Sequence, residues 1–446
     1  MILLLTRCFD IIIFNQVMNV IVIGGGAAGF FAALSCKKHH PESSVILLEK
    51  SDKLLSKVKV SGGGRCNVTH ACFENNQLAK FYPRGGKQLK KLFFQFNTKD
   101  TVQWFESRGV KLKTEADNRM FPVTDNSQTI IDCLMNEANN LGVKIQKGIS
   151  ISEIRKCRTS THPSSGSAKS TDFEFHRSGK ENGFYLLAGN KEIYADKIII
   201  ASGGSPKMEG FNWLKKLGHT IIPPVPSLFT FNMQNEPIKK LMGVVANPVS
   251  VKIKGTTLTS EGALLITHWG MSGPAILKLS ALGARELHAM NYKFEVLVNW
   301  LGERNETDAR NFLTEEIKTI GKRQVGNKNP FQLTNRLWLF FLEKNEIDSK
   351  TTWNELKKKN LNRIINTLVN DSYKAEGKTT FKEEFVTCGG VLLDEVSFET
   401  MESKICPGIY FAGEVLDIDA VTGGFNFQAA WTTGFIAGRL ATDYTD

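Results

Sequence analysis

An α/β fold with a parallel sheet is what this sequence predicts, and three observations carry the prediction. The run Val20–Ile23 is apolar and β-branched, as a buried parallel strand is, and it enters a glycine turn followed by a helix-like stretch, Phe30–Lys38. Two further strand-like runs, Lys197–Ser202 and Gly408–Ala412, also end at glycines, Gly203-Gly204 and Gly413. Between them the pattern changes. Residues 220–300 hold short alternating runs punctuated by Pro223, Pro224, Pro226, Pro237 and Pro248, which is all-β punctuation, and residues 305–370 are charged and periodic at helical spacing.

The chain has 446 residues, enough for two or three domains at roughly 150 residues each. Hydrophobic residues make up 41% and charged residues 23%, globular values that exclude a disordered, collagenous or disulfide-scaffold protein. Cysteines at 8, 36, 66, 72, 133, 157, 388 and 406 include no C-x-x-C pair. That argues against a zinc ribbon or dithiol redox pair and suits reduced thiols in a cytoplasm. No H-E-x-x-H or other metal-ligand spacing occurs, so no metal is expected. The formal charge of +11 is uneven, +9 over residues 50–119 and −7 over 385–446. A basic first third suits nucleic acid or another polyanion; the plainer explanation is a solvated basic surface.

A bilayer span needs about 20 apolar residues, and Met1–Val17 is broken by Arg7, Asp10 and Asn15. It also lacks the charged start and small-residue cleavage site of a signal peptide. A start at Met18 would open the chain directly on a strand, so residues 1–17 are expected to be an extension. No other segment reads as a membrane span.

The first turn, Gly24-Gly25-Gly26-Ala27-Ala28-Gly29, is G-x-G-x-x-G in the strand–turn–helix context that the motif requires. Gly24 allows the tight turn, Gly26 lets backbone approach a pyrophosphate, and Gly29 lets helix and strand pack closely, with the helix N-terminus facing the phosphates. A second strand, Ser44–Leu48, ends at Glu49, 20 residues past Gly29, the usual place for an acid on a ribose hydroxyl. Together these predict dinucleotide binding. Three consecutive glycines in Ser61-Gly62-Gly63-Gly64-Arg65-Cys66-Asn67 would let backbone press on a flat ligand. Thr422-Gly423-Gly424-Phe425-Asn426 opens a late helix whose N-terminus suits a polar ring edge.

These motifs, with Thr267-His268-Trp269-Gly270-Met271-Ser272-Gly273-Pro274, occur in an order that resembles the BaiN/YhiN-type flavoproteins, also labelled aminoacetone oxidase family FAD-binding enzymes. The resemblance covers about Met18 to Arg439 and implies extended FAD. Gly24, Gly26 and Gly29, with Ala27 and Ala28, would hold the pyrophosphate, and Glu49 with Lys50 the adenosine ribose. Arg65, Cys66 and Asn67 would lie along the isoalloxazine, with Ala201 and Gly203 at the end of the third strand. Gly413 and Glu414 would meet the ribityl-phosphate region. Gly424, Phe425 and Asn426 would present N–H groups to the flavin's pyrimidine edge, where reduced flavin carries negative charge.

The resemblance also implies a split, Rossmann-like FAD-binding domain, 18–205 with 385–446. It would be interrupted by a β-barrel-like insert, 206–300 with 371–384, carrying a helical subdomain, 301–370. Within the first part, 144–156 and 173–189 read as strands of a β-meander, and 158–171 as a polar loop. No second G-x-G-x-x-G occurs, so NAD(P)H, as reductant, would dock transiently in the substrate cleft.

Each candidate for chemistry has a plainer alternative. Cys66 is a candidate proton donor, or a small packing residue. Arg65 would fix an anion, or its own loop. His268 would face the flavin, or sit in a structural turn before a helix with Ser272 as cap and Pro274 in the first turn. Arg119, Arg84 and Lys87 are candidate substrate ligands. The run Pro83–Phe94 interleaves basic and aromatic residues, as RNA-binding segments do; an amphipathic helix burying Leu89, Leu92, Phe93 and Phe96 is the commoner explanation.

The expected function is an FAD-dependent oxidoreductase that uses NAD(P)H to reduce a polarised C=C bond. The resemblance suggests two substrates, a uracil of ribosomal RNA, giving dihydrouridine, and a bile-acid-type enone, and the basic segment favours the RNA. The alternatives are a non-catalytic FAD-containing RNA-associated protein and an aminoketone oxidase. No stable protein partner is evident.

Overall fold

The computed structural model describes residues 17–157, 183–380 and 386–441. The polar stretch 158–171, the beginning of the expected 173–189 strand and nearly all of the 1–17 extension lie outside the described residues.

The strand that enters the glycine turn, Asn19–Ile23, is the centre of a five-stranded parallel sheet. The order across it is Ile409–Phe411, Lys197–Ile200, Asn19–Ile23, Ser44–Glu49 and Lys144–Lys147. Ile21 registers with Ile198 on one side and Ile46 on the other, and Ile200 registers with Phe411. The inner strands are continuously apolar because both faces of the sheet are covered. The outer strand corrects one expectation. Lys144–Lys147 is not part of the meander but pairs parallel to Ser44–Glu49 at the sheet edge, where one flank faces solvent and lysines are tolerated. The meander itself is Glu153–Lys156, Phe184–Ala188 and Lys191–Ala195.

Helices Ala27–His39 and Phe425–Leu440, far apart in sequence, pack directly on each other. The contact is between small residues. A Cβ on Gly434 would lie 2.5 Å from the Ala28 carbonyl oxygen, and one on Gly438 would overlap the carbonyl of Ala32. Both helices are buried on nearly every side, which is why neither shows a polar stripe. A buried polar network locks the later helix. Gln428, fully buried, accepts from the hydroxyls of Thr69 (2.7 Å) and Thr101 (3.0 Å) and donates to Thr432 (3.0 Å).

The insert is an antiparallel sheet of seven strands with Val245–Ile253 and Thr259–Ile266 near its middle. Among the described strands it is not a closed barrel. Its outermost strands, Asp371–Glu376 and Lys378–Thr379, are nevertheless consecutive in the chain, and Gly377 between them accepts from the Asn232 amide, so the sheet curls. Helices Glu306–Ile320, Asn335–Lys344 and Lys358–Val369 follow the expected helical stretch. They share one apolar core with the sheet, in which Val296, Val298 and Trp300 meet Leu313, Trp338, Phe341 and Ile364. The chain enters and leaves the insert through an antiparallel pair, Ile221–Pro226 with Thr387–Val391.

Gly438→Ala should therefore destabilise the protein by about 1–3 kcal/mol, the usual effect of overpacking, read as a lower urea midpoint. An unchanged midpoint would mean that the two helices can separate freely.

Candidate active site

A cavity of about 620 Å³ lies where the parallel-sheet core meets the insert. The first core lines it with the Gly24–Ala28 turn, Glu49, Lys50, Lys57, Ser61, Gly62, Asn67, Arg119, Ala201, Gly203, Gly413, Glu414, Thr422 and Gly424, and the insert with Leu228, Phe229, Thr230, Ser272, Leu277 and Thr379.

The turn has the geometry that its glycines predict. Gly24 has φ +117°, and a Cβ there would overlap the Ala201 carbonyl. Gly29 is outside the cavity; its lack of a side chain leaves room for the Gly24 carbonyl, so it serves packing. A Cβ on Gly26, by contrast, would meet no protein atom within 4 Å, which leaves the backbone approachable from the cavity. Helix Ala27–His39 begins there with no side-chain cap, so its first N–H groups remain available. Glu49 is fixed by the turn it serves, accepting from the amides of Gly25 (2.8 Å) and Ser51 (2.9 Å). Glu414 accepts from the Thr387 amide (2.8 Å) and pairs with Lys57 (2.6 Å). Beside it the Thr387 hydroxyl is buried with no hydrogen-bond partner among the described residues, facing Gly204 of the cavity wall. An open glycine cradle and an uncapped helix end along one cleft fit an extended dinucleotide.

The loop after Ser56–Val60 leaves helical geometry at Ser61 (ψ 147°), Gly62 (φ 58°) and Gly63 (φ 70°). It presents Ser61, Gly62 and Asn67 to the cavity but not Arg65 or Cys66. Arg65 is turned to Glu115 (2.5 Å) and lies 4.0 Å over the Phe121 ring, so it fixes its own loop. Cys66 is fully buried, and burial pushes its thiol up to about 12, which leaves it a packing residue and a poor proton donor at neutral pH. Asn67 does more than line the wall. Its amide nitrogen donates to the Thr69 carbonyl (3.0 Å) and its oxygen accepts from the Gly424 amide (3.0 Å). It thus caps the C-terminal helix from a distant segment, and the Gly424 N–H expected at the ligand is already engaged. The N–H groups of Phe425, Asn426 and Phe427 are left in the first turn. The Phe425 side chain stays off the cavity, stacked on Phe81 (4.2 Å) and His70 (4.5 Å), which also touch each other. The Asn426 side chain pins Ala420, accepting from its amide (3.0 Å) and donating to its carbonyl (3.2 Å).

Of the expected substrate ligands, only Arg119 reaches the cavity. Asp117 holds its Nε (2.7 Å) and Glu115 its Nη2 (3.2 Å). Lys87 is exposed on helix Gly86–Leu92 and does not line the cavity. Arg84 is an internal tie. It donates through Nε to Asp419 (2.6 Å), pairs through Nη2 with the same carboxylate, and donates through Nη1 to the Ala281 carbonyl (2.7 Å). Ser227 also donates to Asp419, so the cluster joins the first core to the insert. His268 is exposed, its ring against Trp269, and does not line the cavity. Ser272 lines the cavity rather than capping: helix Pro274–Leu282 starts at Gly273 with Pro274 in its first turn and no side-chain cap. Leu228–Thr230, Leu277 and Thr379 had no signal in the sequence, since they reach the cavity only because the insert folds over it.

A family description, HI0933-like protein Rossmann domain, matches residues 18–440. The chain belongs to this family. It is a flavin-dependent oxidoreductase of mixed α/β fold. Among HI0933-like relatives, the 3-dehydro-bile acid delta(4,6)-reductase of Clostridium scindens is 26% identical over 409 residues, 89% of this chain and 92% of the relative. The ribosomal RNA dihydrouridine synthase of Escherichia coli is 26% identical over 399 residues, 87% of this chain and 90% of the relative. A solved 3-ketosteroid delta1-dehydrogenase from Sterolibacterium denitrificans aligns with a TM-score of 0.49 at 10% identity, over 95% of this chain and 98% of that one. No described helix is long and apolar enough to cross a membrane, and no His, Cys, Asp and Glu cluster among the described residues could hold a metal ion.

Two outcomes follow from the side-chain placements. Arg84→Ala leaves the fully buried Asp419 carboxylate unpaired and should cost roughly 3–5 kcal/mol in urea unfolding, much of it recovered when Asp419→Leu is added. Iodoacetamide at pH 8.5 should leave Cys66 unlabelled in the folded protein and label it only after denaturation, as read by peptide mass spectrometry; labelling in the folded protein would contradict its burial and raised pKa.

Proposed function

We propose that this chain reduces a C=C bond conjugated to a carbonyl, with NAD(P)H as hydride source and a uracil of ribosomal RNA as substrate. The observation that carries the reading is one cleft that joins a glycine turn of dinucleotide geometry to Arg119, hydroxyls and apolar side chains of the insert. FAD, when bound, supplies hydride transfer between NAD(P)H and the substrate carbon. In this reading, 18–205 with 385–446 hold the cofactor, 206–300 with 371–384 cover the substrate, and 301–370 support that cover.

The protein's own groups do the rest. Gly24, Gly26, Ala27 and Ala28 receive the pyrophosphate, and Glu49 the ribose. When a conjugated C=C accepts hydride at its far carbon, negative charge develops on the carbonyl oxygen, and a proton on the near carbon completes the reduction. Arg119, oriented by Asp117 and Glu115, offers its remaining N–H donors to that oxygen. Leu228, Phe229, Leu277 and Val386 line the same cleft and exclude water from it, which strengthens the interaction. NAD(P)H uses this cleft before the substrate does.

Relatives of equal identity bear the names of an RNA-modifying enzyme and a bile-acid reductase. The basic segment 50–119 supports the RNA. The apolar wall of the insert supports an enone as the second reading.

Nucleosides of ribosomal RNA from a deletion strain, measured by mass spectrometry, decide between them. Dihydrouridine should be lost, restored by the gene, and not restored by a Gly26→Asp copy. Unchanged dihydrouridine, with the yellow protein bleached by NAD(P)H and reoxidised by a steroid enone, would establish the second reading instead.

A further inference from the structure

Helix Gly86–Leu92 starts at the rim of the cavity. Arg84, just before it, is tied to Asp419, and a Cβ on Gly85 would lie 3.2 Å from Cβ of Ile418, a cavity residue. The helix and the turn after it bury Leu89, Leu92, Phe93 and Phe96 in the first core. The opposite side carries Lys87, Lys90 and Lys91, spaced so that they are neighbours on one face, and ends at Phe94. All four are exposed, and Phe94 is 73% exposed, the highest value among the large hydrophobic residues described.

The only other aromatic among the exposed large hydrophobic residues described is Phe73, at 54%, and it belongs to the same basic segment. Phe73 and Lys99 border one shallow depression, and helix Asn75–Ala79, followed by exposed Lys80, packs on helix Gly86–Leu92. Lys80, Lys87, Lys90, Lys91 and Lys99 form no ion pair among the described residues, whereas Lys57, Lys113, Lys254 and Lys344 do. The nearby Glu74 makes no ion pair with them among the described residues; its carboxylate accepts from the Asn76 and Gln77 amides. A solvated lysine face needs no rings. Lys357, Lys358 and Lys359 are such a cluster at the start of helix Lys358–Val369, exposed and without an ion pair among the described residues, with no exposed aromatic of the described residues beside them.

We propose that the surface of Phe73, Lys80, Lys87, Lys90, Lys91 and Phe94 docks single-stranded RNA beside the cavity, its ammonium groups on phosphates and its rings stacked on unpaired bases. The occupant rests on the RNA reading above; the location rests on exposure and missing ion pairs. An anionic membrane would use the same lysines but needs a free apolar helix face, and here that face is buried in the core.

The FAD-loaded protein and a labelled oligouridine are titrated by fluorescence anisotropy over a range of salt. Phe94→Ala should weaken binding about tenfold with the salt slope unchanged, because stacking carries no charge. Lys87→Gln/Lys90→Gln/Lys91→Gln should weaken it and reduce the slope of log K against log salt by about 2, at about 0.7 for each phosphate no longer neutralised. Lys357→Gln/Lys358→Gln/Lys359→Gln, with the same change in net charge, should do neither. Equal weakening by the two lysine triples, no weakening by the first, or binding of phosphatidylserine vesicles in place of the oligouridine overturns the proposal. A deletion strain whose dihydrouridine is fully restored by the Lys87 triple combined with Phe94→Ala would leave the RNA function standing and remove only this surface.

Discussion

The contact between helices Ala27–His39 and Phe425–Leu440 is the constraint on which the rest depends. Glycines at 434 and 438 let the later helix press against the backbone at Ala28 and Ala32. That contact joins the two ends of the described chain and brings the start of each helix to one cleft. Two positive dipole ends then face the space where phosphates and a reduced ring would need them. Side chains alone could not arrange this, because they would hold the helix axes further apart.

Polar groups from distant segments then refine the cleft. Asn67 caps the C-terminal helix, and Gln428 ties the same helix to Thr69 and Thr101. Arg84 and Asp419 join the first core to the insert through Ser227 and Ala281. Burial raises the Asp419 carboxyl above its usual range, while the Arg84 guanidinium acts against that shift. Such a tie stabilises little relative to an apolar pair but penalises any arrangement that separates its members. It therefore favours the particular seating of the insert that gives the cleft its second wall.

The cleft has two chemical characters. In the proposed reading, dinucleotide binding draws largely on the backbone donors of the glycine turn, which do not depend on side-chain identity, and substrate binding on Arg119 and insert side chains, which differ readily among proteins of one fold. Relatives of equal identity with different named substrates are what such a division allows.

The sequence by itself determined the parts whose physics is local. The glycine turn, the strands, the helical stretch after residue 305 and the acid at Glu49 each follow from residue type and spacing within a few dozen positions. Only the tertiary structure decided which side chains share a cavity. Arg84 and Arg119 look alike in sequence, yet one is consumed by a buried carboxylate and the other lines the cleft. Cys66 and Asn67 are adjacent, yet one is sealed in the core and the other caps a helix hundreds of residues away. Lys144–Lys147 reads as a meander strand because edge strands carry lysines in either kind of sheet. In each case the outcome turns on a partner distant in the chain, and local pattern carries no information about distant partners.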